Sequence, residues 1–131
     1  MAKNLPSQSK RSSDFSTQRK VVFAAMSKRN FYLREHVIKF ILDSGHTPTC
    51  AFMMFSYFLL DTVDRDALIC ANNDLIRRSD ELWVFGEVSS GVQEEIGLAD
   101  SLGRPVHYFR HGSSPGHFLE IPPHTALRET T

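Results

Sequence analysis

Two adjacent glutamates, Glu94 and Glu95, lie in a segment whose apolar residues repeat with helical spacing. At about 100° per residue, Glu95 falls on the apolar side of this helix, and Glu94 falls on the opposite side. The apolar positions are Val92, Ile96, Ala99 and Leu102. A carboxylate directed at the protein body can act as a nucleophile toward a sugar carbon or as a general base. The structural alternative is that the helix dipole favours a glutamate there, paired with a basic residue.

The turn before this helix contains Ser89, Ser90 and Gly91. Free N–H groups at the start of a helix attract anions, so this turn is a candidate phosphate site. Ser90 and Gln93 also fit a capping box, in which side chains satisfy the same N–H groups. From this segment alone, capping is the favoured interpretation.

Short apolar runs alternate with helical segments, which predicts a parallel sheet with helices on both faces. Strands are predicted at residues 20–26, 46–50, 82–85 and 105–109, with helices starting at Asn30, at Asp61 or Thr62, and at Gly91. The fold class is therefore α/β, a single doubly wound domain of the flavodoxin or Rossmann type with strand order 2-1-3-4. Ligands of such sheets lie beyond the C-terminal ends of the strands, at the crevice between strands one and three.

The domain organisation follows from length and local composition. A chain of 131 residues forms one domain. Residues 1–19 are expected to be a disordered basic tail, because they are rich in Ser and Gln and poor in large apolar residues. Residues 20–111 form the α/β domain, and residues 112–131, rich in Gly, Pro and Ser, are expected to be a loop or arm. The tail has no aromatic residue except Phe15, so nucleic-acid binding is not expected.

Composition excludes several classes of protein. The hydrophobic fraction of 41% and charged fraction of 23% are those of a soluble globular domain. The most apolar window, residues 51–60, is roughly half the length of a membrane-spanning helix. We therefore expect no membrane association and a cytoplasmic location. Because the window is too apolar for an exposed loop, we expect it to be buried in a homodimer or higher homo-oligomer. The cysteines and histidines lack the spacing of metal ligands, so no metal or other cofactor is expected.

Two stretches resemble the nucleoside 2-deoxyribosyltransferase-like superfamily, in particular its small bacterial and phage branch. They are Asp80-Glu81-Leu82-Trp83-Val84-Phe85-Gly86 and Gly91-Val92-Gln93-Glu94-Glu95-Ile96-Gly97-Leu98-Ala99, the latter followed by Leu102-Gly103-Arg104-Pro105-Val106. The resemblance covers about residues 20–110. It implies a nucleoside or nucleotide ligand and hydrolysis or transfer at the N-glycosidic bond, with Glu95 attacking the anomeric carbon.

The resemblance also implies which residues bind the substrate. Ser89 is expected near the 5′ end of the ligand, with Ser90 and Gly91 beside it. The loop after the first strand is expected to line the other wall through Ala25, Met26, Lys28 and Arg29. As isolated charges, Lys28 and Arg29 have two interpretations, contact with a phosphate or plain solvation.

Three positions differ from the catalytic members of the superfamily. Asn72 occupies the place of an acid that handles the nucleobase, Val22 that of a tyrosine that orients the nucleophile, and Ala25 that of a glycine. An asparagine can hydrogen-bond a base but cannot supply a proton as a carboxylic acid does. These differences keep a second hypothesis open, a noncatalytic nucleotide-sensing or partner-binding module on the same fold.

Overall fold

The computed structural model describes residues 18–51 and 57–129. The tail predicted over residues 1–19 therefore lies almost wholly outside the described residues, and so does much of the apolar window at residues 51–60. Among the described residues, no helix has the length and apolar character needed to cross a bilayer.

Five strands form one sheet in the order 2-1-3-4-5. They are β1 (Val21–Met26), β2 (Thr47–Thr49), β3 (Glu81–Phe85), β4 (Val106–His111) and β5 (Phe118–Ile121). The first four strands are parallel to one another, and β5 pairs antiparallel with β4. The predicted α/β class and the order 2-1-3-4 are confirmed, with one additional strand at the β4 edge.

The additional strand lies where the sequence predicted a loop or arm. Phe118 begins β5 and is buried in the core, where its ring meets Phe85 edge-on at a centroid distance of 5.1 Å. The next two residues of the strand, Leu119 and Glu120, are both exposed. With one buried position in four residues, β5 has too little alternation to be recognised in a segment rich in Gly, Pro and Ser.

Helices cover both faces of the sheet, as predicted. They are α1 (Arg34–Asp43), α2 (Tyr57–Thr62), α3 (Arg65–Arg77) and α4 (Ser90–Ser101), with 3-10 helices at Lys28–Leu33 and Pro123–Thr125. One buried cluster contains Val22, Ala24 and Met26 of β1 together with residues of α1. The other contains Phe23 and Ala25 together with residues of α3 and α4. Alternate residues of β1 thus pack against helices on opposite faces of the sheet, as in any strand covered on both sides.

Side-chain caps set the starts of three helical segments and differ from the predicted ones. Ser27, not Asn30, caps the segment after β1, since its Oγ accepts a hydrogen bond from the Arg29 N–H. Asp64 caps α3, so this helix begins after the predicted Asp61 or Thr62. Ser89 caps α4 through the Val92 N–H at 3.2 Å, which replaces the predicted capping box of Ser90 and Gln93.

A charged network lies at the start of β3, at the end of the sheet opposite the ligand crevice. The Glu81 carboxylate is buried and accepts hydrogen bonds of 2.9 Å from Trp83 Nε1 and from Lys20 Nζ. Burial alone raises the pKa of Glu81, but these two hydrogen bonds and the charges of Lys20 and His107 outweigh it. The net result is a pKa below the ordinary glutamate value.

Glu81→Gln is expected to lower the free energy of unfolding at pH 7 by about 1–2 kcal/mol, because the amide loses its charge-assisted contact with Lys20. A carboxyl whose folded pKa is depressed stabilises the protein above its unfolded pKa, and this contribution disappears as the pH falls through the folded value. Urea unfolding at pH 7 and pH 3 measures both effects. A difference between variant and wild type that is equal at the two pH values would contradict the prediction.

Candidate active site

The Glu95 side chain lies between two cavities at the C-terminal edge of the sheet. The larger cavity has a volume of about 460 Å³ and the smaller one about 70 Å³, and Glu95 lines both. The neighbouring Glu94 is exposed. The helical spacing of α4 therefore directs one glutamate of the pair inward and the other into solvent.

Asn72 of α3 holds the Glu95 carboxylate. Its Nδ2 donates a hydrogen bond of 2.8 Å to Glu95 Oε2. Burial raises the pKa of Glu95 to about 7, with the negative charge of Glu94 adding to the rise and the hydrogen bond from Asn72 opposing it. Near neutral pH, both the carboxylate and the carboxylic acid are then populated. This is the range in which a carboxyl group serves best as an acid, base or nucleophile.

Four parts of the chain form the larger cavity. The loop after β1 contributes one wall, the turn after β3 with the first half of α4 contributes another, and the first residue of α3 and the C-terminal segment complete it. The lining residues are Met26, Ser27, Lys28, Arg29, Arg65, Ser89, Ser90, Gly91, Val92, Glu95 and Glu129. Because β1 and β3 are neighbours at the point where the strand order reverses, this cavity occupies the ligand crevice of a doubly wound sheet.

Most of the sequence-predicted site residues come together here. Met26, Lys28, Arg29, Ser89, Ser90 and Gly91 line the larger cavity with Glu95. Asn72 approaches Glu95 from the other side and lines the smaller cavity with Phe23, Ala24, Met26, Cys50 and Ala51. Ala25 is the exception: only 1% exposed, its side chain packs in the core cluster beneath α3 and α4 and lines neither cavity.

Arg65 and Glu129 line the larger cavity and were not predicted from the sequence. Arg65 is the first residue of α3, where a cation is disfavoured by the helix dipole. A cationic residue at the start of a helix is therefore the sequence feature that could have indicated a role for Arg65. Glu129 reaches the cavity because the C-terminal segment pairs with Val88. This is a tertiary contact, which local sequence patterns do not predict.

The larger cavity carries three cationic side chains, Lys28, Arg29 and Arg65. Arg29 lies 3.9 Å from Glu87 Oε1 and 4.0 Å from Glu129 Oε2, both at the outer limit of an ion pair. The turn capped by Ser89 presents the N-terminal end of α4 to the same space. Positive side chains and a helix N terminus together favour an anionic group in this part of the cavity.

Within residues 18–51 and 57–129, no group of three or more His, Cys, Asp and Glu side chains is arranged to hold a metal ion.

Fold and site define a doubly wound α/β protein with an inward carboxylate at the crevice of the sheet. A family model described as "Domain of unknown function (DUF7768)" matches residues 21–109, and the chain belongs to this family. Among solved structures, the chain is similar to the CMP N-glycosidase BcmB of Clostridium botulinum, with a TM-score of 0.52 and 21% sequence identity over 72% of each chain. At this identity the likeness concerns the fold. A search of curated proteins finds no significant match.

Proposed function

We propose that the protein binds a nucleoside or nucleotide in the larger cavity and cleaves or transfers its N-glycosidic bond, with Glu95 as the nucleophile. The observation that carries the proposal is the Glu95 carboxylate, with a pKa near 7 and a hydrogen bond from Asn72, at the wall shared by the two cavities. The fold of a CMP N-glycosidase and the superfamily resemblance of the sequence support it.

The position of Glu95 suggests how the ligand is oriented. If the anomeric carbon lies at Glu95, the sugar extends into the larger cavity, whose lining offers hydroxyl groups and cations. The base then points toward Asn72, whose side-chain amide can hydrogen-bond its edge. The smaller cavity, at about 70 Å³, has room for an edge of a base and not for a whole base.

The reaction proceeds in two displacements. A Glu95 carboxylate oxygen forms a bond to C1′ while the C1′–N bond breaks, and its electron pair leaves with the base. Water then attacks C1′ of the glycosyl ester, loses a proton to solvent, and releases the free sugar and the carboxylate. In a transfer reaction a second base replaces water. Since Asn72 cannot donate a proton as an acid does, the departing base takes its proton from solvent.

The cationic part of the larger cavity favours a 5′-monophosphate over an uncharged nucleoside. Lys28, Arg29 and Arg65 can each form charge-assisted hydrogen bonds with phosphate oxygens. The N terminus of α4 adds backbone N–H groups and a favourable dipole.

The test is a panel of ribo- and deoxyribonucleosides and their 5′-monophosphates, with base release followed by chromatography and binding followed by thermal unfolding. We expect base release from at least one monophosphate and a higher melting temperature in its presence, because a ligand that binds only the folded state stabilises it. No base release and no thermal shift with any compound would overturn the proposal.

The second candidate function is a noncatalytic nucleotide-binding module. The Asn72 side chain favours this candidate, because it contacts Glu95 with an amide at a position where the resemblance implies an acid. A ligand that raises the melting temperature without releasing base would select this candidate. The homodimer remains a proposal as well, and the mass measured by light scattering at micromolar concentration tests it.

A further inference from the structure

Glu129 is a buried carboxylate with an unused acceptor in the larger cavity. Its side chain is 8% exposed and lines the cavity beside Arg29 of the loop after β1. Among the described residues, its Oε2 has no hydrogen-bond partner, and Arg29 Nε is 4.0 Å away, beyond hydrogen-bonding distance. A buried carboxylate oxygen without a donor is unfavourable, so a donor is expected in the working protein.

The backbone around Glu129 is anchored at the site. The Glu129 N–H donates to the Val88 carbonyl at 2.9 Å, and the Val88 N–H donates to the Leu127 carbonyl at 2.8 Å. On the other side, Arg128 Nη1 donates to Gln93 Oε1 of α4 at 2.5 Å. These contacts fix the backbone that carries Glu129 beside the turn that begins α4. Glu129 also lies beyond residues 21–109, the part of the chain that the family model matches.

We infer that Glu129 is a specificity-determining residue that accepts a hydrogen bond from a sugar hydroxyl of the ligand. The inference rests on the proposed function, in which the sugar occupies the larger cavity. A carboxylate accepts hydrogen bonds and repels a phosphate, so the group it faces must be a neutral or positively charged donor. With the base directed toward Asn72, the donors that the ligand still offers in this cavity are the hydroxyl groups of its sugar, while Lys28, Arg29 and Arg65 suit its phosphate.

This arrangement discriminates against ligands that lack the sugar hydroxyl facing Glu129. A ligand without the hydroxyl still displaces solvent from the cavity but leaves the buried Glu129 oxygen without a donor. Sites built to hydrogen-bond a polar group discriminate strongly against analogues that lack it. The 2′- and 3′-hydroxyl groups share this chemistry, as does the 5′-hydroxyl of an uncharged nucleoside, so the experiment must separate them.

The experiment measures dissociation constants by calorimetry in the full-length chain carrying Glu95→Gln, which prevents turnover. The parent ligand is the best-bound ribo compound of the panel, compared with its 2′-deoxy and 3′-deoxy analogues and, where the parent is an uncharged nucleoside, with its 5′-deoxy analogue as well. We expect one analogue to bind about 10- to 100-fold more weakly than the parent. Adding Glu129→Ala should reduce that ratio to about threefold or less and leave the ratios of the other analogues unchanged.

Two further variants make the result specific. Glu129→Gln keeps the size of the side chain and one acceptor oxygen, so it should restore part of the discrimination and also guards against misfolding of the alanine variant. Glu120→Ala removes an exposed carboxylate of β5 that pairs with His107 outside the cavity, and should change none of the ratios.

The outcomes separate the inference from the function on which it rests. If ligands bind and Glu129→Ala leaves every ratio unchanged, Glu129 does not contact a sugar hydroxyl and the inference fails alone. If no nucleoside or nucleotide binds even the chain with native Glu95 and Glu129, the proposed function fails and the inference fails with it.

Discussion

Glu95→Gln is expected to lower the rate of base release by about a thousand-fold or more, whereas Glu94→Gln should leave it within about threefold at pH 8. The two glutamates are adjacent in sequence and carry the same group. Only Glu95 lines the cavities and receives the hydrogen bond from Asn72, while Glu94 is exposed. The amide keeps the shape of the side chain and removes its nucleophilic oxygen. Initial rates with the best monophosphate of the panel measure the difference.

The pH dependence of base release by the wild type and by Glu94→Gln provides the control. A nucleophilic carboxylate is active when deprotonated, so kcat/KM of the wild type should rise with pH through about 7, the pKa of Glu95. The charge of Glu94 contributes to that raised pKa, so Glu94→Gln should move the rise to lower pH. Equal losses in the two variants, or a rate that increases toward acid pH, would remove Glu95 from the role of nucleophile.

The central strands β1 and β3 were predictable because each is a short apolar run next to a helical segment. Residues 21–26 and 81–85 are nearly all buried, so their sequences are continuous rather than alternating. The glycines at the helix ends were also informative, since Gly45 and Gly103 have φ of +89° and +72° and end α1 and α4. Positions with such strict backbone requirements leave a clear signal in the sequence.

Helix starts were less predictable because several polar residues compete for each cap. Ser89 and Ser90 both fit the role, and the choice depends on where the chain leaves β3. At Asn30 the competing residue is Ser27, whose hydroxyl begins a 3-10 turn three residues earlier. Local sequence restricts a cap to a few residues, and tertiary position then selects one of them.

The candidate site was predictable where one element defines the geometry. The inward direction of Glu95 follows from the spacing of α4 alone, and the walls from the loops after β1 and β3 follow from the topology of the sheet. The direction of Ala25 depends on which face of β1 it occupies, and continuous burial conceals that choice. The position of Glu129 at the cavity depends on a bridge between residues 88 and 128. These residues are about forty positions apart, and only folding brings them together.

Glu95→Gln is also expected to stabilise the protein at pH 8, by on the order of 2–3 kcal/mol, and to have little effect at pH 4. Burial raises the folded pKa of Glu95 from 4.5 to about 7. A carboxyl with a raised folded pKa contributes its full stability below the unfolded value, and this is lost as the pH rises through the folded value. At pH 8 the wild type therefore holds an ionised, half-buried carboxylate, which the neutral amide of the variant avoids.

Urea unfolding of the wild type, Glu95→Gln and Glu94→Gln at pH 4 and pH 8 measures this effect. Glu94 is exposed, so its variant should follow the pH dependence of the wild type much more closely than Glu95→Gln does. If Glu95→Gln is no more stable than the wild type at pH 8, the carboxylate is not destabilising and its pKa is not raised. A carboxylate that costs stability at the pH where the variant loses activity is the relation expected of a functional group, because active sites keep unfavourable charges that a stable core would exclude.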